Sequence, residues 1–277
     1  MTSTNAESDI RERIRAHKQW YHTLELAPGL VTPGWFDTRK VVDLLPLPPS
    51  LEGKRCLDIG TFDGFWAFEM ERRGAAEVLA IDLLDKQGWD WPVNSPPDVV
   101  DALAERKAEG DGFELALEAL ESRVVRRELS VYMLDQADVG AFDFVYFGSL
   151  LLHLQNPVRA LERVRSVCNG LLLSVDAIDI GLSIAHPNRP VAELDGFGRP
   201  WWWKPNALAH VRMLEAGGFE LLQRPRRFFM PPGPGQPRER PTLAKLRNKH
   251  GRNAILRSWK GDPHSAILAR PVHQFSW

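Results

Sequence analysis

The sequence predicts an α/β fold, a doubly wound sheet of seven mostly parallel strands, and three observations carry that expectation. Cys56-Leu57-Asp58-Ile59-Gly60-Thr61-Phe62-Asp63-Gly64-Phe65-Trp66 runs from an apolar stretch through an acid and two glycines into an amphipathic segment. That order reads as a strand, a tight turn and a helix N-terminus facing a ligand. Short apolar runs then alternate with helical periods, as in βα units. Phe142–Phe147 is almost continuously apolar, which fits a strand buried on both faces.

Taken in order, residues 1–8 read as disordered and Asp9–Tyr21 as an amphipathic helix, from the spacing of Ile10, Ile14 and Tyr21. Two Pro-Gly pairs, Pro28-Gly29 and Pro33-Gly34, mark turns, and Thr38–Leu45 reads as helical up to the Pro46/Pro48/Pro49 cluster. Residues 1–50 are therefore expected to form an N-terminal helical lid, and 51–277 the main domain. Its first strand is Arg55–Gly60, followed by a helix from Gly64 to Arg73 that Gly74 stops. Strands follow at Glu77–Asp82, Val124–Arg127, Phe142–Phe147, Leu171–Asp176 and Phe219–Gln223. Helices are expected near 98–109, 112–121, 157–167 and 205–216, and Ser265–Val272 closes the sheet as a seventh strand. Residues 83–98 and 177–203 read as irregular loops, and 225–262 as a basic insertion rich in Pro and Arg.

The net charge is −1, so the whole chain offers no electrostatic case for nucleic acid. The distribution is uneven: Arg224–Lys260 holds eleven Lys/Arg against the single acid Glu239, a net of +10, and the remainder carries −11. Such a segment is either solvated surface or a seat for an anion. Cys56 and Cys168 lie in apolar stretches without metal-ligand spacing, and read as buried free thiols in a reducing compartment. No His/Asp/Glu spacing suggests a metal site. No apolar run approaches the ~18 residues of a membrane span, so the chain is expected to be soluble, cytoplasmic and without a membrane partner.

The glycine loop can be read more closely. A dinucleotide motif has Gly-x-Gly-x-x-Gly, whereas here the order is Asp58-x-Gly60-x-x-x-Gly64, with Phe62 at the middle position. Eighteen residues beyond Gly64, Val78-Leu79-Ala80-Ile81 ends in Asp82. The acid before the first glycine resembles motif I of class I S-adenosylmethionine-dependent methyltransferases, a Rossmann-like family with a seven-stranded sheet. That resemblance implies S-adenosylmethionine as cofactor, with the loop beneath its methionine part and Asp82 accepting from both ribose hydroxyls. Trp20-Tyr21-His22, Thr32-Pro33-Gly34, Gly53–Gly60, Arg72-Arg73-Gly74-Ala75 and the His153…Pro157 stretch are similar to the branch of tRNA wobble-uridine 5-carboxymethoxyuridine transferases. The likeness covers about residues 10–223.

By position, the resemblance assigns cofactor binding to Trp35, Lys40, Asp58, Gly60, Thr61, Gly64, Asp82, Leu83, Val131, Tyr132 and Gly148. Arg199 matches an arginine for the extra carboxylate of a carboxylated cofactor, and with Trp202 is a candidate for substrate binding. Leu152 stands where that branch has a tyrosine for the carboxylate, and its lysine is not evident, which favours the plain cofactor. His153 and His22 are the candidates for removing a proton from an oxygen acceptor. The leading expectation is O- or C-methylation of a small molecule. The alternatives are a tRNA wobble-uridine transferase and non-methyl chemistry on the cofactor such as cyclisation. Replacing Asp82 with alanine is expected to weaken cofactor binding tenfold or more, since a two-point ribose contact is lost. Calorimetry with S-adenosylhomocysteine reads this, and an unchanged affinity would remove Asp82 from the site.

Overall fold

The computed structural model describes residues 2–17, 19–108, 111–195 and 201–272. The chain opens with helix α1 (Thr2–Ala16) and four short strands, β1 (Trp20–His22), β2 (Glu25–Ala27), β3 (Leu30–Val31) and β4 (Gly34–Phe36). The central part runs β5 (Arg55–Ile59), α2 (Phe65–Arg72), β6 (Glu77–Asp82), α3 (Pro97–Ala108), α4 (Asp111–Ala119), β7 (Val125–Glu128), α5 (Gln136–Val139), β8 (Phe142–Gly148), α6 (Pro157–Val167) and β9 (Cys168–Ala177). It ends with α7 (Ile180–Ala185), β10 (Ala192–Leu194), β11 (Trp203–Pro205), α8 (Ala207–Ala216), β12 (Phe219–Leu221), β13 (Arg226–Met230), α9 (Leu243–Arg247), α10 (Lys249–Lys260) and β14 (Asp262–Pro271).

The main sheet has the order β12-β14-β9-β8-β5-β6-β7, with β13 pairing β14 as an eighth strand. β5 to β9 pair parallel, whereas β14 runs antiparallel between β9 and β12. Successive residues of the inner strands face opposite cores, as the two-residue period of a strand requires. Cys56, Phe144, Tyr146, Leu173 and Ala266 pack on one side with Ile14, Phe65, Phe68 and Phe113. Leu57, Val145, Phe147, Leu172 and Ile267 pack on the other with Leu161, Val164 and Leu214. Both cysteines are buried and free. No helix among the described residues is long and apolar enough to cross a membrane.

Three expectations are corrected. The first helix begins at Thr2 and stops at Ala16, because Trp20–His22 is drawn out to pair parallel with Gly34–Phe36. Thr38–Leu45 forms two 3-10 turns rather than an α-helix. The insertion begins with a strand: Arg226–Met230 pairs antiparallel with Asp262–Ala266, so the sheet gains an edge that Pro/Arg-rich composition concealed. The loop after β9 likewise contains α7 and the β10–β11 hairpin.

The N-terminal segment is fastened to the body through its backbone. Gly233 N–H donates to the Trp35 carbonyl at 2.7 Å, Gly235 N–H to Gly34 at 3.0 Å and Asp37 N–H to Pro231 at 3.0 Å. Glycine is required where these strips meet, since a Cβ on Gly233 would stand 2.1 Å from the Gly34 carbonyl oxygen. A second fastening lies at the carboxyl end of the sheet. Asp176 is fully buried, and its Oδ2 accepts from the N–H groups of Leu150 and Leu151 at 3.0 and 2.8 Å, while Oδ1 accepts from Ala177 at 2.9 Å. Replacing Asp176 with alanine strands three buried donors and is expected to cost about 3 kcal/mol of stability, read as a lowered midpoint in urea.

Candidate functional site

A cavity of about 410 Å³ opens over the carboxyl ends of β5, β6 and β8, the usual ligand position of an open α/β sheet. Its floor is the turn after β5. Gly60 adopts φ +77°, and Phe62 is held at φ +52°, a conformation uncommon for a non-glycine residue. The strain at Phe62 is offset by its N–H donating to Asp82 Oδ2 at 2.8 Å, while Leu83 N–H donates to Oδ1 at 2.7 Å. Asp82 therefore presents both oxygens from a fixed orientation at the cavity wall, the geometry that two neighbouring hydroxyls need.

Behind the loop, Asp58 is 1% exposed and neither carboxylate oxygen has a hydrogen-bond partner among the described residues. Burial pushes its pKa up to about 7, although the nearby Thr61 hydroxyl and the charge of His22 favour the ionised form. The Thr61 hydroxyl is itself buried without a well-formed bond. Asp58 and Thr61 thus stand behind the cavity lining, where a carboxylate lends negative charge to the site from beneath the loop, and Asp82 on the wall fits a ribose. Together they match the two ends of S-adenosylmethionine.

The roof comes from the N-terminal strand β1. Asp63, in the loop between Gly60 and Gly64, accepts from the N–H groups of Tyr21 and His22, each at 2.8 Å, and closely from His22 Nδ1. Tyr21 packs against Phe62 with ring centres 5.1 Å apart, and His22 stacks on Phe65 at 5.6 Å. Tyr146 stacks on Trp66 at 4.4 Å and extends the aromatic wall. At the other end, Ser130 caps the turn that holds Val131 and Tyr132. The Tyr132 hydroxyl donates to Asp90 at 2.6 Å and so ties the Trp89–Trp91 loop over the cavity.

The cavity brings together His22, Trp35, Gly60, Asp82, Leu83, Val131, Tyr132, Gly148 and His153 from the residues singled out in the sequence. Others are displaced. Lys40 stays at the surface, where its ammonium pairs with Asp37 at 3.1 Å. Gly64 lies behind the loop as the residue opening α2, at φ +89°, and a Cβ there would meet the Phe68 ring at 2.4 Å. Trp202 bridges two loops outside the wall, donating from Nε1 to the Asp90 carbonyl at 2.6 Å, and its neighbour Trp201 lines the cavity instead. Arg199 falls outside the described residues.

Sequence reasoning missed Tyr21, Asp63, Asp90, Ser149, Asp262 and His264. Asp63 had a signal, an acid inside the glycine loop, while Ser149 and His264 had none. Among the described residues, no group of three or more His, Cys, Asp or Glu is placed to hold a metal.

The family model described as "Methyltransferase domain" matches residues 37–224, more than half of the 277. No curated protein matches the sequence. Among solved structures, the N-terminal domain of EvdMO1 with SAH bound is similar over 96% of this chain and 97% of that one, at 16% identity and a TM-score of 0.50. The complex between the Haloferax volcanii Trm112 methyltransferase activator and a provisionally named methyltransferase matches over 88% of this chain and 91% of that one, at 11% identity and 0.51. The Burkholderia thailandensis 1,6-didemethyltoxoflavin-N1-methyltransferase aligns with 80% of this chain and 72% of that one, at 17% identity and 0.45. At these identities the first two likenesses are ones of fold.

Replacing Asp63 with alanine is expected to release β1 from the loop. Amide exchange across residues 20–36 should rise at least tenfold, since charge-assisted hydrogen bonds of about 1.5–3 kcal/mol are lost. Unchanged exchange there would show that the contacts with 231–235 hold the segment without Asp63.

Proposed function

The chain belongs to the methyltransferase-domain family, and from that premise we propose that it methylates oxygen or carbon on a small, uncharged acceptor held beside the cofactor. S-adenosylmethionine is the cofactor, and it supplies an electrophilic methyl group on a sulfonium. Asp82 holds its ribose, Asp58 attracts its ammonium from behind the glycine loop, and Val131 and Tyr132 border the adenine side. Most of the rate then comes from keeping the acceptor in line with the methyl group, which rigid aromatic walls favour.

One observation carries the choice of acceptor. The carboxylates on the wall are Asp82, Asp90 and Asp262, and among the described lining residues there is neither Lys nor Arg. An acidic wall suits a cationic cofactor and an uncharged acceptor, and among the described lining residues a phosphate or an extra cofactor carboxylate finds no Lys or Arg to pair with. The basic segment does not supply the missing charge. Arg226 donates to the Leu44 carbonyl, Lys245 pairs with Glu239, Arg257 pairs with Asp262 at 2.9 Å, and Arg238 and Lys260 lie over the Trp259 and Phe229 rings. These five of the segment's eleven cations are engaged within the chain, and none of the eleven is among the described lining residues, which supports a small-molecule acceptor over tRNA.

Two measurements test the reading. With methyl-labelled S-adenosylmethionine, label is expected in a small-molecule extract and not in total tRNA. Labelled tRNA would overturn the acceptor class, and release of methylthioadenosine without transfer would favour cyclisation. For the cofactor, an ammonium is attracted by the ionised Asp58, whose pKa in the free protein is raised to about 7. Affinity for S-adenosylhomocysteine is therefore full above that pH and falls below it, by up to tenfold per unit, as the carboxylate takes up a proton. Asp58→Asn should bind weakly with a flat profile, and a flat wild-type profile by calorimetry would remove Asp58 from the site.

A further inference from the structure

On the side of the cavity away from Asp82, the side chains of His264 and Ser149 meet within hydrogen-bond distance. His264, near the start of β14, donates from Nδ1 to the Asp262 carbonyl at 2.9 Å, which leaves Nε2 as the acceptor. Ser149 Oγ lies 3.2 Å from that Nε2. Tyr21 lies beside them in the cavity wall. All three residues line the cavity, and Ser149 is held at φ +50° where β8 ends. Ser149 backbone N–H is fixed on the Val175 carbonyl at 2.8 Å, so its hydroxyl is aimed by the sheet and not by a mobile loop.

A serine in a strained turn beside a histidine also describes a hydrolase nucleophile. The donors for that chemistry are taken: the next two N–H groups, Leu150 and Leu151, both point at Asp176 Oδ2. With them spent, no backbone pair after Ser149 is left to receive an acyl oxyanion. The arrangement instead suits a hydroxyl that needs to lose a proton.

Building on the methyltransferase reading, we infer that Ser149 and His264 form the acceptor subsite and take the proton from a phenolic hydroxyl. The acceptor O–H donates to Ser149 Oγ as the Ser149 proton passes to His264 Nε2. The acceptor oxygen forms its bond to the methyl carbon, the carbon–sulfur bond breaks, and its electron pair stays on sulfur as the thioether. Ser149 ends as a hydroxyl and His264 as an imidazolium. A phenol fits because Trp66, Trp201 and Phe36 wall the cavity. Burial lowers the His264 pKa, against the opposing pull of Asp262, which keeps the ring neutral and able to accept. The titratable and charged groups around it are Asp262, Arg257, Tyr21, Asp176 and His210.

Phenol and toluene, in which a methyl group of similar size replaces the hydroxyl, serve as probes in the presence of saturating S-adenosylhomocysteine, with binding followed by NMR titration. Phenol should bind at least tenfold more tightly than toluene to the wild type, and about equally to Ser149→Gly and His264→Gln. Glycine suits the positive φ at 149, so the first variant guards against misfolding of the second. S-adenosylhomocysteine affinity should stay within twofold in both. With S-adenosylmethionine present, His264→Gln should methylate phenol roughly 100-fold more slowly at similar KM. Its residual rate should rise with pH as phenol ionises on its own. Equal affinity of the wild type for the two probes, or a phenol preference that survives both substitutions, would overturn the subsite. Failure of the wild type to bind S-adenosylhomocysteine would instead remove the methyltransferase reading beneath it.

Discussion

The carboxylate of Asp63 is the constraint on which the site depends. It belongs to the glycine loop, yet all three of its partners, two backbone N–H groups and one imidazole nitrogen, belong to a strand some forty residues earlier. At 2% exposure it is a buried charge whose desolvation is offset by those bonds and lost with them. The same contact sets Tyr21 beside Phe62 on the wall that Ser149 also lines, so one side chain connects the cofactor floor to the acceptor side. The N-terminal segment is thereby part of the site's architecture.

Electrostatics divide the cavity's work. Asp82 is oriented by two backbone donors, whereas Asp58 is left unanswered and its protonation is poised near neutrality by burial. Asp176, held by three backbone donors on the adjoining strand, is pushed up to about 7 by the same cause, yet its bonds are all structural. A raised pKa alone therefore does not separate a ligand-binding acid from a scaffold acid.

The portion of the site that was legible in the sequence is the portion built from neighbours. Gly60 and Asp82 sit at the ends of two adjacent parallel strands, so strand–turn spacing was enough to bring them together on the cavity wall, with Asp58 left behind it. The helix Pro157–Val167 was equally readable, because Pro157 at its first turn and an uninterrupted apolar stripe agree. Lys40 and Trp202 were displaced by contacts that positional matching does not contain, an ion pair with Asp37 and an indole bond to Asp90. His264 was out of reach for a topological reason. It meets Ser149 because β14 inserts antiparallel beside β9, with His264 opposite Ala177, and no local period encodes that pairing. The strand in Arg226–Met230 was hidden likewise, since its residues are half exposed and its register is set by β14.

The place of β14 has a consequence for how the chain folds as it is made. β12 is complete by Leu221, but it joins the sheet only through β14, which ends at Pro271. Until those last residues leave the ribosome, the long hydrophobic edge of β9 is unpaired, and an open edge of that kind invites pairing with other chains. The strip at 231–235 that fastens the N-terminal segment also arrives late. The nascent chain therefore carries a nearly finished nucleoside floor without a finished acceptor wall, and β14 completes both the sheet and the site. Protection of the β9 edge during synthesis is a requirement of this topology, and a chain cut short before β14 would be more prone to aggregate than to bind.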